Sequence, residues 1–122
     1  MVPDAQNATR QIQQMLEQYC QGLHQGDAAL LCPLFSADVV LKAPGIRRDL
    51  NTWLALVASR PKPAQLGHPY GFRILHIELR GEQAMAQVHC PLLGQVYHDY
   101  LGLLYEEGRW LIVSKMYANG AE

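Results

Sequence analysis

Residues 97–117 read YHDYLGLLYEEGRWLIVSKMY, and this stretch decides the fold. Two runs rich in aromatic and β-branched residues lie on either side of the polar turn 106–108. Such runs around a turn that contains glycine predict a β-hairpin. Alternation along the first run places Asp99 on the same face as Leu101 and Leu103. The hairpin therefore carries one carboxylate in apolar company.

The residues before this hairpin change from a helical to an alternating period at Phe72. From there the chain predicts an antiparallel meander, in which Pro91 ends a strand or marks a bulge. The predicted strands lie at residues 37–43, 72–79, 84–92, 95–105 and 109–117. In the strand from Phe72, the two predicted faces hold Arg73, Leu75, Ile77 and Leu79 on one side and Phe72, Ile74, His76 and Glu78 on the other.

The N-terminal half predicts three helices. Apolar residues recur at helical spacing over 7–24, and Gly26 is placed to end that helix in a left-handed cap. A second helix at 28–35 is shortened or kinked by Pro33. Asp49 is a natural N-cap for a third helix. The buried side of the third helix is expected to hold Leu50, Trp53, Leu54 and Val57.

Helices followed by a meander predict a single α+β domain over residues 1–122. The net charge is -1 and no basic stripe is present, which argues against a nucleic-acid partner. No apolar run approaches the length of a membrane span, and residues 1–10 lack the apolar core of a signal peptide. The odd, widely spaced cysteines predict neither disulfides nor zinc. We expect buried free thiols in a reducing cytoplasm at Cys20, Cys32 and Cys90.

The predicted strands are largely apolar on both faces. Helices can cover one of these faces, and a second copy of the chain is the simplest cover for the other. We therefore expect a homodimer that forms through the outer face of the sheet.

Two segments carry a resemblance to a known family. Residues 19–35, YCQGLHQGDAALLCPLF, resemble the opening of the nuclear-transport-factor-2-like superfamily. Residues 97–117 resemble the closing hairpin of its putative lumazine-binding or SnoaL-like branch, and GEQAMAQV at 81–88 extends the similarity. The resemblance implies a cystatin-like cone, in which a strongly curved antiparallel sheet wraps around the N-terminal helices and leaves a pocket at the open end.

The family includes steroid isomerases, polyketide cyclases and dehydratases, as well as many binding proteins, so the fold does not fix a function. The resemblance to ketosteroid isomerases implies that Tyr19 donates a hydrogen bond to an oxyanion, although an amphipathic core residue fits the position equally. It also implies a general base at the end of the first strand, where this sequence has Ala43. Ala43 cannot transfer a proton, and this departure argues against isomerase chemistry.

Asp99 has two possible roles. Burial would raise its pKa and make it an acid, whereas pairing with Lys115 or Arg109 on the next strand would make it structural. His89 and His98 have two alternative placements, facing each other or approaching Asp99, and a His beside a carboxylate can act as a general base. Strand parity, however, puts His98 and Asp99 on opposite faces of the strand. The five histidines show no ligand spacing, so no metal site is expected.

Two functions follow as expectations. In the first, the cone binds a small, mostly apolar molecule, with Tyr19, Trp53, Asp99 and Lys115 as contacts. In the second, the chain is an isomerase, cyclase or dehydratase that uses Asp99 or His89, with Tyr19 as a further catalytic candidate. The residues identify no cofactor.

Overall fold

The computed structural model describes residues 3–120, which form three α-helices and six strands. The helices are α1 Ala5–Gln25, α2 Ala28–Leu31 and α3 Leu50–Ser59. The strands are β1 Phe35–Ala43, β2 Ile46–Arg48, β3 Arg73–Arg80, β4 Gln83–Leu92, β5 Gln95–Glu106 and β6 Arg109–Asn119. None of the helices in the described range is long and apolar enough to cross a membrane.

The six strands form one curved sheet in the order β2-β1-β6-β5-β4-β3. All neighbouring strands run antiparallel except β1 and β6, which are parallel. The reason lies in the chain path, because the chain leaves the β1–β2 hairpin through α3 and enters the meander at the far edge. The meander then returns β6 to the centre of the sheet, beside β1. The expected α+β cone is confirmed, with a mixed sheet in place of a purely antiparallel one.

Helix α1 lies in the hollow of the sheet and contacts β3, β4 and β6. It begins at Asp4, whose side chain accepts a hydrogen bond from the backbone N–H of Asn7 at 3.0 Å. It ends at Gly26, which has a φ of 62°, so the predicted left-handed cap is confirmed. The buried face of α1 consists of Ala8, Ile12, Met15, Leu16, Tyr19, Cys20, Gly22 and Leu23.

The second helix is shorter than predicted. Helix α2 ends at Leu31, a 3₁₀ turn follows over Cys32–Leu34, and β1 already begins at Phe35. Pro33 accounts for the early end because it has no backbone N–H to continue the helix. This turn also exposes Cys32, so the expectation that all three cysteines are buried is wrong for this one.

Strand β3 contains a bulge that the sequence did not predict. The register with β4 shifts between Ile74 and His76. One extra residue reverses the side-chain alternation from that point on. Ile74 and Ile77 therefore both pack against the core, whereas Leu75 is 43% exposed. The predicted grouping of Leu75 with Ile77 on one face is wrong for this reason.

Helix α3 closes one end of the hollow. Asp49 accepts a hydrogen bond from the backbone N–H of Thr52 at 2.8 Å and caps the helix as predicted. Trp53 and Val57 are buried under it, and the ring of Trp53 meets Phe35 at 5.3 Å between centroids. Helix α3 thereby forms one wall of the space inside the sheet.

Candidate functional site

A cavity of about 200 Å³ lies between α3 and the inner face of the sheet. Its wall combines apolar, aromatic and charged side chains contributed by both ends of the chain. The lining residues are Leu23, Ile46, Arg48, Trp53, Leu56, Arg60, Cys90, Leu92, Tyr97, Asp99, Lys115 and Tyr117.

Asp99 is the centre of a buried polar cluster in this wall and is 2% exposed. Its Oδ2 atom accepts a hydrogen bond from the Tyr19 hydroxyl at 2.5 Å and one from the Cys90 thiol at 3.2 Å. The same oxygen lies 3.8 Å from the Lys115 Nζ atom. Four chain segments, α1, β4, β5 and β6, thus meet at one carboxylate oxygen.

Lys115 is the cation that the structure places beside Asp99, and it is 5% exposed. Its Nζ atom lies 4.4 Å from the ring centroid of Trp53 and 5.1 Å from that of Tyr117. Aromatic faces stabilise a buried ammonium group. Burial lowers the pKa of Lys115, and the carboxylate of Asp99 acts in the opposite direction. The other cation considered for Asp99, Arg109, donates instead to the Pro33 carbonyl at 3.1 Å.

Tyr19 and Cys90 support the carboxylate. Tyr19 is completely buried behind the cavity wall and is not one of the lining residues. Burial raises its pKa well above the usual value, and Asp99 adds to that effect. Burial likewise raises the pKa of the Cys90 thiol. Both groups therefore keep their protons and act as hydrogen-bond donors to Asp99.

Two arginines that the sequence did not single out also line the cavity. Arg48 ends β2 and donates to the Tyr117 hydroxyl at 2.6 Å. Arg60 follows the last residue of α3, and its Nη2 atom is buried without a hydrogen-bond partner among residues 3–120. Arginines next to turns and prolines are usually solvated. The sequence held no periodic signal to separate these two from Arg47, which lies outside the cavity.

His89 does not reach the cavity. It alternates with the buried residues Val88 and Cys90 along β4 and pairs with His98 across the sheet, so it lies on the outer face. Ala43, at the position of the missing base, pairs with Ile46 at the end of β1. Within the described range, no three His, Cys, Asp or Glu side chains come together as a potential metal site. Of the catalytic candidates, Asp99 alone is a lining residue, and Tyr19 lies directly behind it.

The model of one protein family, described as putative lumazine-binding, matches residues 7–118. The chain belongs to this family. No curated protein matches it significantly.

Three of the solved structures similar to this member of the putative lumazine-binding family are described as nuclear-transport-factor-2-like proteins of unknown function. One, of unknown function from Shewanella baltica OS155, has 21% identity and a TM-score of 0.85, with all of both chains covered. A second, from Silicibacter pomeroyi DSS-3, has 20% identity and a TM-score of 0.80, covering 95% of this chain and 98% of its own. A third, from Methylobacillus flagellatus KT, has 19% identity and a TM-score of 0.78, covering 98% of this chain and 96% of its own. These likenesses establish the fold.

Proposed function

We propose that this protein binds a small, mostly apolar organic molecule in the cavity under α3 and acts as a homodimer. The observation that carries the proposal is the cavity wall, in which Leu23, Leu56, Leu92 and Trp53 provide apolar surface beside a few fixed polar groups. Ligand sites in proteins combine these two features. A volume of about 200 Å³ suits a one- or two-ring molecule, since apolar cavities of roughly 150 Å³ accommodate benzene.

The test is a thermal-shift screen with single-ring aromatic compounds, steroids, and lumazine and flavin derivatives, the last two chosen because of the family description. A compound at 100 times its dissociation constant should stabilise the folded state by about 2.7 kcal/mol. Leu56→Trp places a bulky ring at the cavity wall and should abolish the shift. Leu66→Trp is the matched control, because Leu66 is exposed and does not line the cavity. If no compound changes the melting temperature of the unmodified protein, the binding proposal fails.

The proposed homodimer rests on the outer face of the sheet. Met116 of β6 is 48% exposed and pairs directly with Tyr100 of β5, which is 42% exposed. Val40 and Met85 are exposed on the same face, in a row that runs through Ser114 and Gly102. Exposed apolar surface that is contiguous over several strands is typical of an interaction site.

Sedimentation analysis tests this part of the proposal. Met116→Lys should convert a dimer into a monomer, because it would bury two unpaired charges at a symmetric interface. Leu66→Lys, which lies off the sheet, should leave the dimer intact. A monomeric unmodified protein at micromolar concentration would contradict the dimer.

A second candidate function is an isomerase, cyclase or dehydratase of the SnoaL-like type. It is supported by the position of Asp99 on the cavity wall, 2.5 Å from the Tyr19 hydroxyl. Since His89 lies on the outer face, this candidate depends on Asp99 alone. Exchange of α-protons of ketosteroids and β-keto esters in D₂O, followed by NMR, would reveal a proton-transferring base. Exchange no faster than in buffer would eliminate this candidate for those substrates.

A further inference from the structure

The cavity wall has an excess of positive charge. Four ionic side chains line it: Arg48, Arg60, Lys115 and Asp99. Lys115 and Asp99 form an ion pair at 3.8 Å and compensate each other. Among residues 3–120, the other ion pair joins Arg80 to Glu78 on the surface, so neither cavity arginine has a carboxylate within 4.0 Å. Two guanidinium groups therefore face the cavity without a counter-ion from the described chain.

In the described range, Arg60 is the cavity residue whose buried donor lacks a hydrogen-bond acceptor. Three buried side-chain polar atoms in the described range have no hydrogen-bond partner: His24 Nδ1, Arg60 Nη2 and Trp110 Nε1. Arg60 is the one of these that lines the cavity. A buried donor without an acceptor destabilises the folded protein, and a charged donor does so more strongly. An acceptor supplied by a ligand would remove this cost.

Arg48 and Arg60 act on the same space. Both line the same cavity, with Arg48 just before the cap of α3 and Arg60 just after its last residue. Burial lowers the pKa of Arg60, as expected for a guanidinium group that is partly removed from water. The carboxylate nearest in sequence, Asp49, is exposed and caps α3 through Thr52. It is therefore committed to the helix rather than to Arg48.

Guanidinium groups bind carboxylate and phosphate oxygens through paired N–H donors, which a neutral polar group cannot replace. We propose that the cavity binds a small organic anion, whose oxyanion head lies between Arg48 and Arg60 and whose apolar body packs against Trp53 and Leu56. This inference rests on the proposed binding function and names the class of ligand. The cavity volume of about 200 Å³ limits the body to about one ring beside the head group.

Calorimetric titration at fixed ionic strength tests the proposal with three probes of similar shape: benzoate, phenyl phosphate and the neutral benzamide. At least one of the two anions should bind at least about 10-fold more tightly than benzamide, since hydrogen bonds between charged groups are stronger than those to a neutral group. The stronger of the two anions then identifies the head group as carboxylate or phosphate.

Arg60→Gln should weaken anion binding by about 10-fold or more while it leaves benzamide binding unchanged. Arg47→Gln is the matched control, because Arg47 donates to the carbonyls of Ala43 and Ile46 and does not line the cavity. It should change the affinity less than about twofold. Should Arg60→Gln not fold, Arg60→Lys keeps the charge, removes the paired donors and should still weaken binding.

The outcomes separate the two proposals. Benzamide that binds as tightly as both anions would overturn the anion proposal and leave the binding function in place. An equal loss with Arg47→Gln and Arg60→Gln would overturn the role of Arg60. If none of the three probes binds and the wider screen is also negative, the binding function and the anion proposal fail together.

Discussion

Replacing Asp99 by asparagine should lower the free energy of unfolding by about 3–5 kcal/mol, the usual cost of breaking one side of a buried ion pair. The geometry supports a value of this size. At 3.8 Å, the attraction to Lys115 is roughly 4 kcal/mol at an effective dielectric constant of about 20. Asparagine is nearly isosteric and can still accept from Tyr19, so the main loss is the charge. Lys115 would then keep only its aromatic neighbours.

Urea denaturation followed by tryptophan fluorescence measures this effect, with Trp53 close to the substituted side chain. A double-mutant cycle with Lys115→Met isolates the pair, because the double variant should be at least about 1 kcal/mol more stable than the sum of the single losses predicts. Asp38→Asn is the control. Asp38 is exposed and makes no side-chain hydrogen bond or ion pair in the part of the chain that the structure describes. Its substitution should change stability by less than about 0.5 kcal/mol.

A stability of Asp99→Asn within about 0.5 kcal/mol of the unmodified protein would refute this reasoning. Asp99 would then make no contribution to the stability of the fold, and a role in ligand binding or proton transfer would become the better explanation for its burial. A coupling energy near zero in the cycle would show that the ion pair with Lys115 does not stabilise the protein. The stability lost in Asp99→Asn would then come from the hydrogen bonds that Tyr19 and Cys90 donate.

Three further predictions concern the cysteines and one close contact. Burial raises the pKa of the Cys20 thiol from 9.0 to about 12. The unfolded thiol therefore ionises first, and stability should fall above pH 9, with Cys20 contributing roughly 2 kcal/mol of the loss at about pH 10.5. Because burial also raises the pKa of Cys90, Cys20→Ala should remove only the Cys20 contribution in urea titrations. A thiol reagent followed by mass spectrometry should modify exposed Cys32 rapidly and buried Cys90 only upon unfolding. Gly22→Ala should cost about 1–3 kcal/mol in thermal denaturation, because its Cβ would lie 2.6 Å from the Leu31 side chain. Combined with Leu31→Ala, it should lower stability by less than the sum of the two single losses.

The sequence was sufficient for those parts of the fold that depend on local chemistry. The Asp49 cap and the Gly26 terminus follow from residue preferences at helix ends, and both are present. The bulge in β3 was not predictable because it leaves no glycine or proline at Leu75. The parallel pairing of β1 with β6 was equally inaccessible, since it depends on the path of the whole chain rather than on either strand.

In the candidate site, too, the sequence predicted the features that depend on local structure and missed those that depend on how distant elements pack. The alternation of side chains along β5 was enough to predict that Asp99 points inward, because successive side chains of a regular strand point to opposite faces. Burial of Arg60 depends on how α3 lies over the sheet, and no local pattern encodes that placement. His89 shows the limit of residue type as evidence, because a suitable general base is of no use on the outer face of the sheet.

Because Asp99 is already paired and Arg60, among residues 3–120, is not, a ligand should bind in the cavity in one preferred orientation. Asp99 already accepts from two donors and faces a cation, so an entering molecule gains little by contacting it. Arg60 retains a buried donor without an acceptor, and it lies at the end of α3. The polar groups of a ligand should therefore bind the arginines. Its apolar part should pack against Trp53, on the side of the paired Asp99 and Lys115. We therefore expect Asp99 to stabilise the folded chain and Arg60 to donate hydrogen bonds to a bound ligand.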